Sequence, residues 1–434
     1  MPSRSVRKSA PGGKLRGEPV RSVLTINGGS SSIKFALYRA DAPTARLLSG
    51  KIERIGLPNP TLSVRDGASK TAPRVIRADD HRAAGEFLID WLDRHVGFTQ
   101  VAGVGHRVVH GGLKLNKAQR ITPRLVAELH RISPYDPEHM PSSVQLMEVF
   151  HQHHPQLPQV ACFDTAFHRD MPRVAKLIAI PRRFDAKGVQ RFGFHGLSYT
   201  FIMEELARVA GLKAARGRLI LAHLGNGASL AAVRNGKSID TSMGFTPASG
   251  IPMSSRSGDL DPGLVWYLAR TENMTGKQFH VMVHHQSGLL GVSETSPDMR
   301  DLLAQEAKDV RAAEAVALFC YQVKKWIGAF AATLGGLDTL VFTGGIGENA
   351  YPIRARICDG LQFLGLRLDA NKNKASAPVI STKASRVKIR VIRTDEEVTI
   401  ARTVCRVLGL SAKTPEGARV RNGFLPSAIC QSVS

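Results

Sequence analysis

The chain of 434 residues carries 59 Lys and Arg against 36 Asp and Glu, a formal net charge of +23, with 43% hydrophobic and 22% charged residues. Those proportions suit a folded protein with room for two cores, and no apolar run approaches the ~20 residues that span a bilayer. Aromatics make up only 6%, and no basic cluster interleaved with exposed rings is present, so nucleic acid is not expected as a partner.

Residues 1–20, rich in Ser, Gly, Pro and basic groups, read as a disordered basic extension with net charge +4. A first strand over 23–26 runs into the polar turn Asn27-Gly28-Gly29-Ser30-Ser31-Ser32, and a second strand leaves over 33–38. The spacing predicts a helix over 83–96, with Phe87, Trp91 and His95 on one side. A strand over 101–109 leads to Gly111-Gly112. His151, His153 and His154, beside Pro155 and without paired carboxylates, read as an exposed loop and not as a metal site. A strand over 159–163 delivers Asp164 at its end.

The stretch 218–256 is the most informative. A run over 219–222 reaches His223-Leu224-Gly225-Asn226-Gly227, a second run over 229–233 returns, and Asn235-Gly236 turns the chain again. This is a hairpin whose tip is built of Gly and Asn, where the backbone can approach a ligand and free N–H groups favour phosphate oxygens. Thr, Ser and Gly dominate from there to Arg256. A third strand over 339–342 enters Thr343-Gly344-Gly345-Ile346-Gly347-Glu348-Asn349 and then helix-forming sequence. Three glycine loops, each leaving a hydrophobic strand, suggest a duplicated nucleotide-binding architecture with the ligand between the halves. No G-x-x-x-x-G-K-[ST] run occurs, which argues against a P-loop NTPase. After a strand over 387–392, Thr394-Asp395-Glu396-Glu397 reads as a capping box, with Glu397 in the third helical position. Residues 411–434 read as a loosely ordered tail. The five cysteines, at 162, 320, 358, 405 and 430, are odd in number and form no C-x-x-C pair. Free thiols in a reducing compartment, hence the cytoplasm, are expected.

Several of these segments together resemble the acetokinase family, in its acetate and propionate kinase branch. They are residues 27–34, Gly105-His106-Arg107-Val108-Val109-His110-Gly111-Gly112, residues 163–168, Phe192-Gly193-Phe194-His195-Gly196, residues 223–258, 287–291, 297–301 and 343–349, in order along roughly 21–410. The resemblance implies an α/β fold, the duplicated ribonuclease H-like fold of the actin, Hsp70 and sugar-kinase superfamily, with its active site in an interdomain cleft. It implies a discontinuous first domain (21–164 plus 399–410) and a second domain (165–398) that binds nucleotide and forms a homodimer.

The implied reaction is reversible transfer of a phosphoryl group from ATP to acetate, giving ADP and acetyl phosphate, with Mg²⁺ as cofactor and Mn²⁺ as a substitute; the alternatives are propionate or butyrate as acceptor, or a non-catalytic nucleotide-binding member of the superfamily. Such a transfer gathers negative charge, so catalysis rests on positioning and electrostatic stabilisation. The resemblance places Arg107 at the substrate carboxylate and Arg256 at the transferring phosphoryl group. His195 becomes the transition-state stabiliser, and Asp164 orients the reacting groups or the metal's water shell. Asn27 and Glu396 match the metal positions. Ser30, Ser32 and Lys34 match nucleotide or phosphate contacts, as do residues 223–227 (His223, Leu224, Gly225, Asn226, Gly227), Asp298, Met299 and Arg300, and Gly345, Ile346, Gly347, Glu348 and Asn349. One segment departs from the family. Where its members carry a Pro-Leu-His-Asn-Pro-Pro-like stretch, this chain reads Ser133-Pro134-Tyr135-Asp136-Pro137-Glu138-His139-Met140-Pro141. Asp136 aligns with the histidine, and an acidic group there would repel a phosphoryl group unless the loop has shifted and His139 has taken over the role.

Overall fold

The computed structural model describes residues 21–410, Ser30 and Ala68 excepted. The predicted extensions at 1–20 and 411–434, and the Ser30 contact, lie outside the described residues.

The first sheet is built around five strands: β1 (Ser22–Gly28), β2 (Ser32–Arg39), β3 (Arg46–Glu53), β4 (Val101–Val108) and β5 (Gln159–Phe163). β1 pairs antiparallel with β2 and β2 with β3, while β1 pairs parallel with β4 and β4 with β5. Four shorter strands, Thr61–Asp66, Ser69–Lys70, Arg74–Val75 and Gln119–Arg120, extend its edges. The second sheet repeats the plan with β6 (Arg218–Leu224), β7 (Ala228–Arg234), β8 (Lys237–Thr241), β9 (Thr339–Thr343) and β10 (Lys388–Val391). Its order is β8-β7-β6-β9-β10, again a three-strand antiparallel meander followed by two parallel strands. The glycine loops after β1 and β6 therefore occupy equivalent places in a duplicated fold, and the loop after β9 stands where the first half has the segment after β4.

Every residue of β1 is buried, as expected for a central strand covered on both faces. One face carries the helices α1 (His81–His95) and α2 (Met140–His153), through Leu88, Leu92, Leu146 and Phe150. The buried stripe of α1 is Ala84, Leu88 and Leu92 with Gly85 and Ile89. The predicted aromatic side is displaced from it, because Phe87 and Trp91 pack only at the margin of this core and Trp91 stacks on His95 at 4.3 Å. His151 and His153 form the exposed last turn of α2, not a loop. Val149 and Phe150 hold this end of the helix against the sheet.

α3 (Gly196–Ala215) lies between the two sheets, with Leu197 packed beside the first and Tyr199, Ile202 and Leu206 beside the second. In the second half α4 (Gly263–Thr271) and α5 (Gly276–His285) precede α6 (Val310–Leu334), which covers the second sheet with a helical stripe of Val316, Phe319, Val323, Ile327 and Phe330. α7 (Gly344–Asn349) follows β9 directly. The last helix, α8 (Glu396–Leu408), returns to the first sheet and also packs on α3. Burying Ile400 and Val404 there stabilises the return by about 1.5–3 kcal/mol each. The close approach needs Gly103 and Gly105, where a Cβ would come within 2.4 Å of Leu408 and 2.3 Å of Ile400. The predicted division at 398/399 falls inside this helix.

The capping box is corrected here. Asp395 is the N-cap of α8 and accepts a hydrogen bond from the Val398 N–H, which leaves Glu397 in the second helical position. Thr394 is pulled away because its hydroxyl pairs with Ser198 at 2.8 Å and its N–H donates to Glu348.

Candidate active site

The parallel order β1-β4-β5 aligns three strand ends and sets Asn27, Arg107 and Asp164 side by side; the start of α8 adds Glu396. Arg107 donates through Nε and Nη2 to Asp164 Oδ2, at 3.0 and 2.7 Å, and through Nη1 to Asn27 Oδ1 at 3.1 Å. Asn27 Nδ2 donates to Glu396 Oε2 at 3.0 Å. The opposed donors and acceptors fix which way the Asn27 amide faces. Burial works against the Arg107 charge, but Asp164 and Glu396 more than offset it and raise its pKa. Of the two carboxyls sharing Arg107, Asp164 is raised by its burial, with Arg107 opposing and Glu396 adding. Glu396 is lowered, since Arg107, His223 and Lys34 outweigh its burial. Asp164 Oδ1 is buried without a hydrogen-bond partner among the described residues.

His195 faces this row from the second half. It caps α3 in the left-handed region, φ 59°, a strained conformation for a non-glycine residue that the surroundings must enforce. A side chain at the next position is impossible, since a Cβ on Gly196 would lie 1.9 Å from the Asp164 carbonyl oxygen. His195 Nδ1 meets Ser229 Oγ at 2.9 Å, and its ring stacks on His223 at 4.3 Å. His223 Nδ1 in turn meets Ser198 Oγ at 2.8 Å. Burial chiefly, with help from His223, Arg107 and Arg256, holds His195 well below the usual histidine pKa, so it is neutral at pH 7. Its Nε2 points at the hairpin tip: a Cβ on Gly227 would stand 3.1 Å from it and 3.7 Å from Arg256 Nη1.

Arg256 is largely withdrawn from water, and burial lowers its pKa. Its guanidinium donates to the Pro247 carbonyl and has no carboxylate partner among the described residues. A guanidinium placed so is poised for an anion. Its Nη2 lies 3.5 Å from His139 Nε2, and His139 Nδ1 meets Asp136 at 3.0 and 3.2 Å. The departing loop thus turns the Asp136 carboxylate onto His139 and presents the histidine to Arg256. Asp136 is buried, yet its pKa is lowered because His139, His110 and Arg256 outweigh that burial. Glu138 of the same loop accepts from His280 and His285 of α5, each at 3.0 Å.

The nucleotide candidates fall into three groups. Residues 223–227 and 344–349 are neighbours through the β6–β9 pairing, and a Cβ on Gly225 would sit 3.7 Å from Gly345 N. Gly345, Gly347 and Asn349 belong to α7, and Asn349 caps back onto the Gly345 carbonyl. Ile346 packs against the second core and Leu224 is fully buried, so Leu224 offers a ligand only its backbone. Glu348 turns inward, accepting from the N–H groups of Gly344 and Thr394. Asp298 caps the helix Met299–Gln305 and binds the Arg300 guanidinium at 2.5 Å, while Met299 is buried in the core. Ser32 and Lys34 open β2, where Lys34 lies opposite Asn27 and is exposed. Sequence reasoning missed Arg354, fully buried, which donates to the Gly347 carbonyl, Asn373 and Ser376 and underpins this loop. It also missed the partners of His195; nothing local in either case marks a contact made across the fold.

Among the described residues no cluster of three or more His, Cys, Asp or Glu forms a metal cage. A magnesium ion asks for less, one or two carboxylates with retained waters and substrate phosphates. The orphaned Asp164 Oδ1 beside Glu396 fits that need. Asn27 Oδ1 accepts from Arg107 and keeps a second lone pair for such an ion.

Residues 22–402 match the model of the acetokinase family. The chain is 45% identical over 391 residues to an acetate kinase of Rhodopseudomonas palustris, covering 89% of this chain and 98% of that one. It is 43% identical over 405 residues to a propionate kinase of Citrobacter rodentium, covering 91% and 98%. Among solved structures, Porphyromonas gingivalis acetate kinase superposes with a TM-score of 0.82 at 36% identity, covering 89% of this chain and 99% of that one.

Proposed function

The chain belongs to the acetokinase family, a family of phosphotransferases, and we propose that it transfers the γ-phosphoryl group of ATP reversibly to acetate. The observation that carries this reading is the convergence of a half-buried Arg256, without a carboxylate partner among the described residues, and a neutral His195 on the Gly227 tip, opposite the Arg107 row.

Arg107 has five N–H groups, of which three are engaged, leaving one on each Nη to receive the substrate carboxylate. That carboxylate is already ionised at neutral pH and needs no general base; Asp164 keeps Arg107 in place. Arg256 and the Nε2–H of His195 bind the oxygens of the transferring phosphoryl group, where charge builds in the in-line transfer. Residues 223–227 and 344–349 hold the nucleotide, with Asp298 to Arg300 alongside. Glu396 would hold Mg²⁺ (or Mn²⁺), with Asp164 Oδ1 accepting from its waters; when bound, the ion neutralises phosphate charge. Residues 21–164 with the whole of α8 form one lobe and 165–394 the other, closing to exclude water. Propionate is the second reading, supported by the nearly equal identity to a propionate kinase. One methylene is worth only about 1–3 kcal/mol in a pocket.

A homodimer through the second lobe is supported by α4, which has no buried residue and exposes Trp266 and Tyr267. Trp266→Arg should halve the mass seen by light scattering. The free, buried cysteines at 162, 320, 358 and 405 fit the cytoplasm, and no helix among the described residues is long and apolar enough to cross a membrane.

Acyl-hydroxamate formation with ATP, Mg²⁺ and acetate, propionate or butyrate tests the activity, with His195→Ala alongside. Product that is lost in the variant supports the reading and ranks the acids by kcat/KM. ATP binding without product from any acid would refute it.

A further inference from the structure

His195, Tyr199 and Ser229 form a closed chain of hydrogen bonds away from the cleft. His195 and Tyr199 sit one turn apart on α3, and both reach across to Ser229 on β7. The Ser229 hydroxyl lies 2.9 Å from His195 Nδ1 and 2.6 Å from the Tyr199 hydroxyl. Tyr199 and Ser229 are both fully buried. The nearby His168 is spent on Ser238 and the Phe194 carbonyl, so the Tyr199 hydroxyl meets no partner but Ser229 among the described residues.

We infer that Tyr199 and Ser229 act as positioning residues that set the tautomer of His195, fixing its proton on Nε2. Ser229 has a single hydroxyl proton to give. If it went to Tyr199, the phenol proton would be left buried with no acceptor, an arrangement folded proteins avoid. Tyr199 therefore donates to Ser229; the Ser229 proton has no acceptor other than His195 Nδ1 among the described residues, so Ser229 donates there and the ring proton is left on Nε2, the nitrogen facing Gly227 and Arg256. The inference deepens the phosphotransferase reading and rests on it. Burial, with His223, Arg107 and Arg256 nearby, keeps the ring neutral, so this one proton decides whether His195 offers a phosphoryl oxygen a donor or a lone pair. The reverse tautomer would present electron density to an anion.

The test is ¹⁵N NMR of the full chain labelled at histidine, with His195→Gln assigning the signal, on wild type, Ser229→Ala and Ser229→Thr. Wild type should show a protonated-type shift at Nε2 and an unprotonated one at Nδ1. In Ser229→Ala the two shifts should move toward each other and kcat should fall about tenfold at unchanged KM for ATP, as an oriented donor is lost. Ser229→Thr, which keeps the hydroxyl, should restore the wild-type pattern. A proton on Nδ1 in the wild type, or a Ser229→Ala tautomer like the wild type's, would overturn the inference. The wild-type spectrum decides the question even if a variant fails to fold. It needs no turnover, so an absence of kinase activity would be recognised separately in the hydroxamate assay.

Discussion

Gly227→Ala probes the meeting point of the two halves with a single methyl group. The glycine has no positive φ, so alanine fits the backbone and gains about 0.4–1 kcal/mol through the unfolded chain, which the crowding of His195 offsets. The added Cβ, however, would stand 3.1 Å from His195 Nε2 and 3.4 Å from Cε1. His195 cannot simply retreat, since Ser229 holds its other nitrogen and His223 backs its ring. The imidazole must give by a few tenths of an ångström, out of the position from which Nε2 reaches the phosphoryl group. A misplacement of about 1 Å costs on the order of 100-fold in rate, so a shift of about half that should lower kcat about tenfold. Gly225→Ala is the control, because its Cβ would make only ordinary contacts at 3.4–3.8 Å, with Gly227, Gly345 and His223; its effect should fall on KM for ATP. The assay is hydroxamate formation under saturating ATP and acetate, with a thermal melt of each variant. A folded Gly227→Ala protein whose kcat stays within about twofold of wild type would refute the placement of the phosphoryl group at His195.

Three further outcomes follow from the geometry. His139→Ala and Asp136→Ala should each lower kcat about tenfold or more, and the double variant should be no worse than either, because Asp136 acts through His139; additive losses would show that Asp136 has a separate task. Arg354→Met leaves the Gly347 carbonyl and Asn373 without their donor and should cost about 3 kcal/mol in a denaturant titration, with a raised KM for ATP; an unchanged midpoint would deny the loop its buried support. Burial pushes His106, His110 and His168 down to about 4. Unfolded, these rings take up protons near pH 6.5, so between there and pH 4 the unfolded state binds more protons. Stability is then full above pH 6.5 and falls with pH by about 3 kcal/mol per ring by pH 4. A denaturation midpoint that is flat from pH 7 to 4.5 would contradict this.

The substituted loop shows how far sequence reading reaches. Asp136 in a histidine's place implies repulsion of a phosphoryl group, and from sequence alone the loop has either shifted or lost a function. Three residues along the same short turn, His139 donates its Nδ1–H to that carboxylate and carries the contact to Arg256. Charge compensation of this kind depends on where two side chains point, which residue identities do not encode. The misassigned capping box has a similar origin. Thr394 is a good local cap, but Ser198, 196 residues away, claims its hydroxyl, and Asp395 does the capping instead.

What the sequence determined by itself is local: strands that are buried throughout, because their apolar runs admit no other placement, and glycine loops at their ends, because only those residues free the backbone there. From these the duplication was legible, while the resemblance to the acetokinase family, and not the local pattern, singled out Asn27, Arg107, Asp164, His195, Arg256 and Glu396 as chemistry-bearing residues. Only the tertiary structure decided who holds whom. Arg107 is shared by Asp164 and Asn27, Arg256 has no carboxylate partner among the described residues, and His195 draws its proton placement from a serine 34 residues on. Hydrogen bonds and ion pairs are satisfied by whatever the folded chain brings within about 3 Å, and sheet pairing across more than a hundred residues determines that distance.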